Sequence, residues 1–277
     1  MFKSKRYDDE TLQHLQKVQM MIFKDFVKIC EDNDLTYFIY GGSLLGAVRH
    51  GGFIPWDDDV DVIMFRKDFD KLNEIMKKNS CEKYNFYNVL NEETYFYTFA
   101  RLTLKGTIFA EWWAEQVDYV PNIFIDIFIL DNIPNNKIKR FFHMKSSFLL
   151  NQLTMYAYIK YDNFSKLKKI IQQTAYYMLK IIPISPQTIK QKCVKTYEKY
   201  KNEECDQVCD FPAMCQLPIY DKKDWLPLKK TKFESMEVNI PNNPDKILTR
   251  IYGDYMKLPP EDSRFRYAPE KIDFGKY

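Results

Sequence analysis

The chain has 277 residues, 41 of them basic and 38 acidic, and 45% of it is apolar. That is enough to bury a substantial core in one large domain or two small ones. A net charge of only +3 excludes the strongly basic footprint of a nucleic-acid binder, so no nucleic-acid partner is expected. The opening MFKSKRYDDETLQHLQ lacks the apolar core of a secretory signal, and no run of about 18 apolar residues marks a membrane span. Six cysteines in such a chain read as reduced thiols, and the expected location is cytoplasmic.

In chain order, Leu12, Leu15, Val18, Ile22, Phe26 and Ile29 recur at helical spacing, which predicts an amphipathic helix over 8–32. Tyr37 to Tyr40 is an aromatic run suited to a buried strand. Gly41 and Gly42 then allow a sharp turn and close approach of an anion to the main chain. Ser43 stands where an N-cap would, ahead of Leu44, Leu45, Ala47 and Val48, and Gly51 and Gly52 end that helix. A helix N-terminus after two glycines is suited to hold a phosphate.

Asp57, Asp58, Asp59 and Asp61 follow. In an extended chain Asp59 and Asp61 share one side, about 7 Å apart, while Val60, Val62 and Met64 face the core. Paired carboxylates are costly to ionise unless a cation lies between them, and Mg²⁺, or Mn²⁺ in its place, prefers such oxygens together with substrate phosphates. A phosphate-binding turn followed by a metal-binding strand is what phosphoryl or nucleotidyl transfer needs. Taken singly, the turn reads as a connection and the acids as a solvated loop. A Ca²⁺ loop of EF-hand type would need a Gly and a Glu that are absent here.

Further on, residues 66–79 read as a helix, and 84–89 and 95–104 as strands. Arg101 and Lys105 belong to the second strand or its end. There they could stabilise a transferring phosphate or form a solvated basic strand end, and both readings stand. Residues 123–130 are the most apolar stretch, interrupted by Asp126. An acid in a buried strand needs a partner, and a metal at Asp59 and Asp61 would supply one. A third carboxylate could also accept the proton of an incoming hydroxyl. Helices are expected at 137–161, 164–182 and 188–200, and the segment IIQQTAYYMLKIIPI, beginning in the second, is too short and too polar to cross a bilayer. Cys193, Cys205, Cys209 and Cys215 lack the two-residue spacing of a zinc knuckle, so buried thiols are favoured over zinc. Asn243, Pro244 and Gly253 mark the cap, first turn and stop of a last helix.

The segment GGSLLGAVRHGGFIPWDDDVDV closely resembles the core motif of the LicD family, phosphocholine transferases of bacterial surface glycans related to the fukutin group. FIDIFILDNIP resembles that family's second motif, with Asp126 at its first acid and Asp131 at its second, where a turn is expected. Phe233 and Glu234 fall in a third matching block. The resemblance implies an α/β fold, a nucleotidyltransferase-like mixed sheet flanked by helices with a mostly helical insertion. It divides the chain into a catalytic core (1–134), a helical subdomain on the acceptor side (135–225) and a C-terminal block packing back on the core (226–277).

The implied activity is metal-dependent transfer of phosphocholine from CDP-choline to a sugar hydroxyl of a cell-surface glycan or its lipid-linked precursor, releasing CMP. Asp59, Asp61 and Asp126 would hold Mg²⁺ or Mn²⁺ and carry catalysis. Gly42 and Ser43 would hold the diphosphate. Arg49 and His50 are candidates for the same task, although Arg49 could equally pin its helix to the acid loop. Trp56 with nearby tyrosines could cage a quaternary ammonium. Thr107 matches a Thr of the family.

Lipid-linked acceptors would bring Lys166, Lys168, Lys169 and their helix to the inner membrane surface, with a wall of the acceptor cleft as the favoured alternative. The family's C-terminal histidines have no counterpart, since no His follows His143, and Tyr267 is the candidate for their place. Competing readings are transfer of ribitol phosphate, glycerol phosphate or a nucleotidyl group, an inactive glycan-binding scaffold, and a Ca²⁺-stabilised structural domain.

Overall fold

Asp8 opens the first helix, α1 (Asp9–Asp32), by accepting the backbone N–H of Thr11, and Leu15, Ile22, Phe23 and Phe26 bury its apolar stripe. The computed structural model describes residues 5–78, 81–89, 91–117, 119–160, 166–181, 184–212 and 219–277. After α1 come β1 (Phe38–Ile39), α2 (Gly41–His50), β2 (Asp61–Phe65), α3 (Arg66–Lys78), β3 (Tyr84–Tyr87), β4 (Ala100–Leu104), β5 (Ile108–Ala110) and β6 (Phe124–Ile133). Helices α4 (Lys137–Tyr158), α5 (Lys166–Ile181) and α6 (Pro186–Tyr197) follow. Then come β7 (Gln207–Asp210), β8 (Ile219–Asp221), β9 (Lys229–Phe233), β10 (Met236–Ile240), α7 (Pro244–Tyr252) and β11 (Lys271–Asp273).

Among the described residues the main sheet has seven strands in the order β1-β2-β6-β4-β3, with β7 pairing β6 and β8 pairing β7. Strands β2 and β6 run parallel, and the other pairs are antiparallel. The fold is therefore α/β with a mixed sheet, as expected. Strands β7 and β8, from within the stretch read as helical, join this sheet. Two small antiparallel pairs, the hairpin β9–β10 and the long-range pair β5–β11, lie outside it. The β5–β11 pair ties the end of the chain to the segment after β4.

Several boundaries shift for physical reasons. Tyr95 to Phe99 are not a strand. β4 begins at Ala100, where pairing with Ile127 of β6 begins, and Tyr95 and Phe96 are buried by aromatic packing instead. β6 extends to Ile133, so Asp131 lies inside a strand rather than in a turn. It is fully buried and accepts two hydrogen bonds from Arg66, at 2.7 Å each. A matched guanidinium allows an acid there. Asn243 and Gly253 do cap α7. Cys193, Cys205 and Cys209 are buried free thiols, and Cys215 lies outside the described residues.

Candidate active site

Register brings the chemistry together. Asp61 of β2 and Arg101 of β4 both stand opposite Asp126 of β6, one on each side. Register partners share a face of the sheet, so the three form a row across it. The Arg101 Nε donates to Asp126 Oδ1 at 2.7 Å and Nη2 to Oδ2 at 3.4 Å. Its Nη1 lies 3.6 Å from Glu111 Oε2, and the Phe124 and Tyr97 rings stack on it at 3.6 and 4.6 Å. Arg101 is buried, so it is not a solvated strand end.

Asp57, Asp58 and Asp59 precede β2 in a loop, and each offers an oxygen within 4.8 Å of the others. Arg266 donates to Asp57 Oδ1 at 2.9 Å and lies 3.6 Å from Asp58 Oδ1. The two glycines make room for this group. Gly41 has φ +51, and a Cβ there would lie 2.7 Å from Asp61 Oδ2. A Cβ on Gly42 would lie 2.5 Å from Asp57 Oδ2. The N-terminus of α2 therefore faces two carboxylates.

Burial, then the neighbouring Asp59, raises Asp57 and Asp58 above the usual carboxylate range, against the pull of Arg266. Burial raises Asp59 as well, and burial with Asp59 and Asp126 raises Asp61 strongly. Asp126 is pushed up to about 6 by burial, with Arg101 opposing. Asp57, Asp58, Asp59, Asp61, Glu111 and Asp126 thus face the guanidiniums of Arg101 and Arg266. This excess of oxygen ligands suits a hard divalent cation.

The oxygens that converge are those of Asp57, Asp58 and Asp59. β2 starts only at Asp61, and a tight turn, in which the Asp57 N–H donates to Ile54 O at 2.9 Å, leads into the acid run. Asp61 and Asp126 stand in the adjoining row, and Asp126 is held by Arg101. Ser43 is not a cap. The helix begins at Gly41 after Tyr40, and Ser43, in its first turn, accepts the N–H of Asp61 at 2.9 Å through Oγ. Arg49 pins α2 to the C-terminal segment rather than to the acid loop, donating to Tyr255 O at 2.6 Å.

Gly42, Arg49, Trp56, Asp57, Tyr252 and Arg266 are among the residues lining a cleft of about 380 Å³. His50 is exposed beside it, its ring 6.3 Å from that of Trp56. The Trp56 ring also has Arg264 5.9 Å from its centroid. Lys105 is not brought to the site. It lies four residues beyond Arg101, about 13 Å along a strand, and donates to Cys81 O at 2.8 Å. Thr107 is structural, bonded to Leu104 O and to the N–H of Ile123.

Sequence reasoning missed Glu111, which follows a strand the apolar pattern did not reveal, and Arg266. Arg266 sits in the RFRYAPE segment, where basic character was its one signal. Tyr267 instead is exposed and packs edge-on against Phe265. Glu234 was noted only by resemblance. Its Oε1 accepts the N–H of Phe53 at 2.9 Å, clamping the loop that leads to the acids.

Residues 34–162 match the family described as LicD/FKTN/FKRP, nucleotidyltransferase domain. The chain carries a LicD-family domain. Within it lie all the acids of the site, whereas Arg266 lies beyond its matched range. The chain is 27% identical to the lipopolysaccharide cholinephosphotransferase LicD of Haemophilus influenzae, over 92% of this chain and 94% of that protein. It is 39% identical over 72 residues to an uncharacterized protein of Rickettsia prowazekii, 26% of each chain. It is also 50% identical over 42 residues to the human ribitol 5-phosphate transferase FKRP, covering 15% of this chain and 8% of that protein. Similarity to these transferases supports a phosphotransferase.

Proposed function

We propose that this LicD-family protein transfers phosphocholine from CDP-choline to a sugar hydroxyl of a cell-surface glycan or its lipid-linked precursor, releasing CMP. The observation that carries the reading is the row Asp61–Asp126–Arg101 beside the converging Asp57, Asp58 and Asp59. Similarity to a cholinephosphotransferase over nearly the whole chain supports the donor.

Asp59 and Asp61 would hold Mg²⁺ or Mn²⁺, with Asp126 as the third carboxylate and Asp57 and Asp58 within reach. A bound divalent ion would neutralise the acids and polarise the donor's phosphate oxygens. Asp126, buried and held by Arg101, is suited to take the proton of the sugar hydroxyl. The hydroxyl oxygen then bonds to the choline-bearing phosphorus, the bond from that phosphorus to the CMP oxygen breaks, and CMP departs. Arg101 orients Asp126 and is placed to stabilise charge on the transferring group. Gly42 and Arg49 would line the donor cleft, with Trp56 on the side that receives the quaternary ammonium. Contact with the inner face of the membrane forms part of the proposal.

A second reading, transfer of ribitol phosphate, is favoured by the short but closer match to FKRP. Thermal unfolding separates them. A donor at about 100 times its Kd adds about 2.7 kcal/mol of stability, so CDP-choline with Mg²⁺ should raise Tm and CDP-ribitol should not. The reverse order would replace the first reading with the second.

A further inference from the structure

Helix α4 is built inside out. It buries the polar His143, Ser147, Asn151 and Thr154 along most of its length, with Met155 and Ala157 near its end, against the protein. Ile138, Phe141, Phe142, Phe148 and Leu149 point outward, and Ile138 and Phe142 are 70% and 66% exposed. These positions lie on one side of the helix and form an apolar stripe interrupted by Lys145. Helix α5 packs beside α4 and behaves alike. It buries Gln172 and exposes Ile170, Ile171, Tyr177, Met178 and Ile181. A stripe of this size on a face open to water is what an interaction surface looks like.

Charge selects the partner. In a chain with 38 acidic residues, neither α4 nor α5 contains an Asp or a Glu. Lys137 and Lys139 are exposed beside the α4 stripe, Lys145 is exposed within it, and Lys180 lies exposed on α5. Apolar and aromatic side chains flanked by lysines, without acids, fit a surface that is apolar beneath and anionic above. Among the described residues no helix is long and apolar enough to cross a membrane, so the fit is to a helix pair lying on a bilayer.

We propose that the exposed face of α4 and α5 is a docking surface for an anionic lipid bilayer. Phe141 and Phe142 insert at the headgroup level, and Lys137, Lys139 and Lys145 engage lipid phosphates. This deepens the membrane contact proposed above. Vesicle binding tests it without turnover, so failure of the phosphocholine reading leaves it standing, and its own failure leaves that reading standing.

The experiment is co-sedimentation of the full chain with vesicles of phosphatidylcholine alone and of phosphatidylcholine containing phosphatidylglycerol. The expected result is binding to the anionic vesicles that weakens with salt. Lys137→Glu/Lys139→Glu/Lys145→Glu should weaken it by roughly a hundredfold or more, and Phe141→Ser/Phe142→Ser should abolish it, both with unchanged Tm because the replaced side chains are exposed. Equal binding to both vesicle types, or no binding to either, would overturn the proposal. So would a concentration-dependent dimer of the wild type that Phe141→Ser/Phe142→Ser dissociates, since a second copy would then cover the stripe.

Discussion

Asp61 and Asp126 are register partners across the parallel pair β2–β6, so two acids stand on one face of strands about 4.8 Å apart. Both are raised by burial, and each acid nearby adds to the penalty on Asp61. Such a pair is tolerated for what it binds rather than for stability.

Asp61→Asn should therefore stabilise the metal-free protein while ending its function. Relief of about 1 kcal/mol would raise Tm by about 2–4 °C in a chain of this size. The same variant should lose the further rise that Mg²⁺ gives the wild type. Thermal unfolding with and without Mg²⁺ checks both, and a variant less stable than wild type in the absence of metal would contradict the pairing argument.

Arg101 touches Asp126 through two nitrogens and Glu111 through a third. A lysine offers no planar fork, so Arg101→Lys should lower kcat by about a hundredfold or more. Lys105→Ala, at the far end of the same strand, should stay within about twofold of wild type, as exposed substitutions commonly do. Steady-state kinetics on the two variants separates the site from the strand end.

How much of this was legible in the sequence depends on what each residue answers to. The turn at Gly41 and Gly42, the acid run, Asp126 in its apolar strand and the caps of α7 answer to local pattern, and they were readable. Ser43 was misplaced because its oxygen is used by the N–H of Asp61 across the fold rather than by its own helix. Asp131 was misplaced for the same kind of reason, since its partner Arg66 lies 65 residues away. Glu111 follows β5, which pairs with β11, and Arg266 is held by the Tyr7 N–H beside the Arg6–Tyr267 bridge, contacts between segments with weak strand patterns. The exposed stripe on α4 was hidden by its periodicity, because spacing shows that a helix has an apolar face but not which way it points.

The buried pair Arg66–Asp131 should behave as a structural tie. Asp131→Ala leaves a buried guanidinium with only the half-exposed Asp70 at 3.6 Å and should cost about 3–5 kcal/mol in denaturant unfolding. The double variant Arg66→Met/Asp131→Leu should recover most of that loss, because it removes both charges together.

His143 gives a pH dependence. Its Nε2 donates to Thr196 O at 2.7 Å, Tyr200 and Phe211 pack on the ring, and burial holds the imidazole below its ordinary value. Between that lowered value and about 6.5 the unfolded chain binds more protons than the folded one. Stability is thus full above about pH 6.5 and declines as the pH falls below it. His143→Gln should flatten this decline, measured as unfolding free energy at stepped pH.

The most direct measurement is CMP release from CDP-choline with Mg²⁺ or Mn²⁺ and a sugar acceptor, for wild type and Asp59→Ala. The expected result is metal-dependent release by the wild type that vanishes in the variant. No release with any metal or acceptor, with no stabilisation by CDP-choline, would contradict the assignment of this acid cluster to phosphocholine transfer.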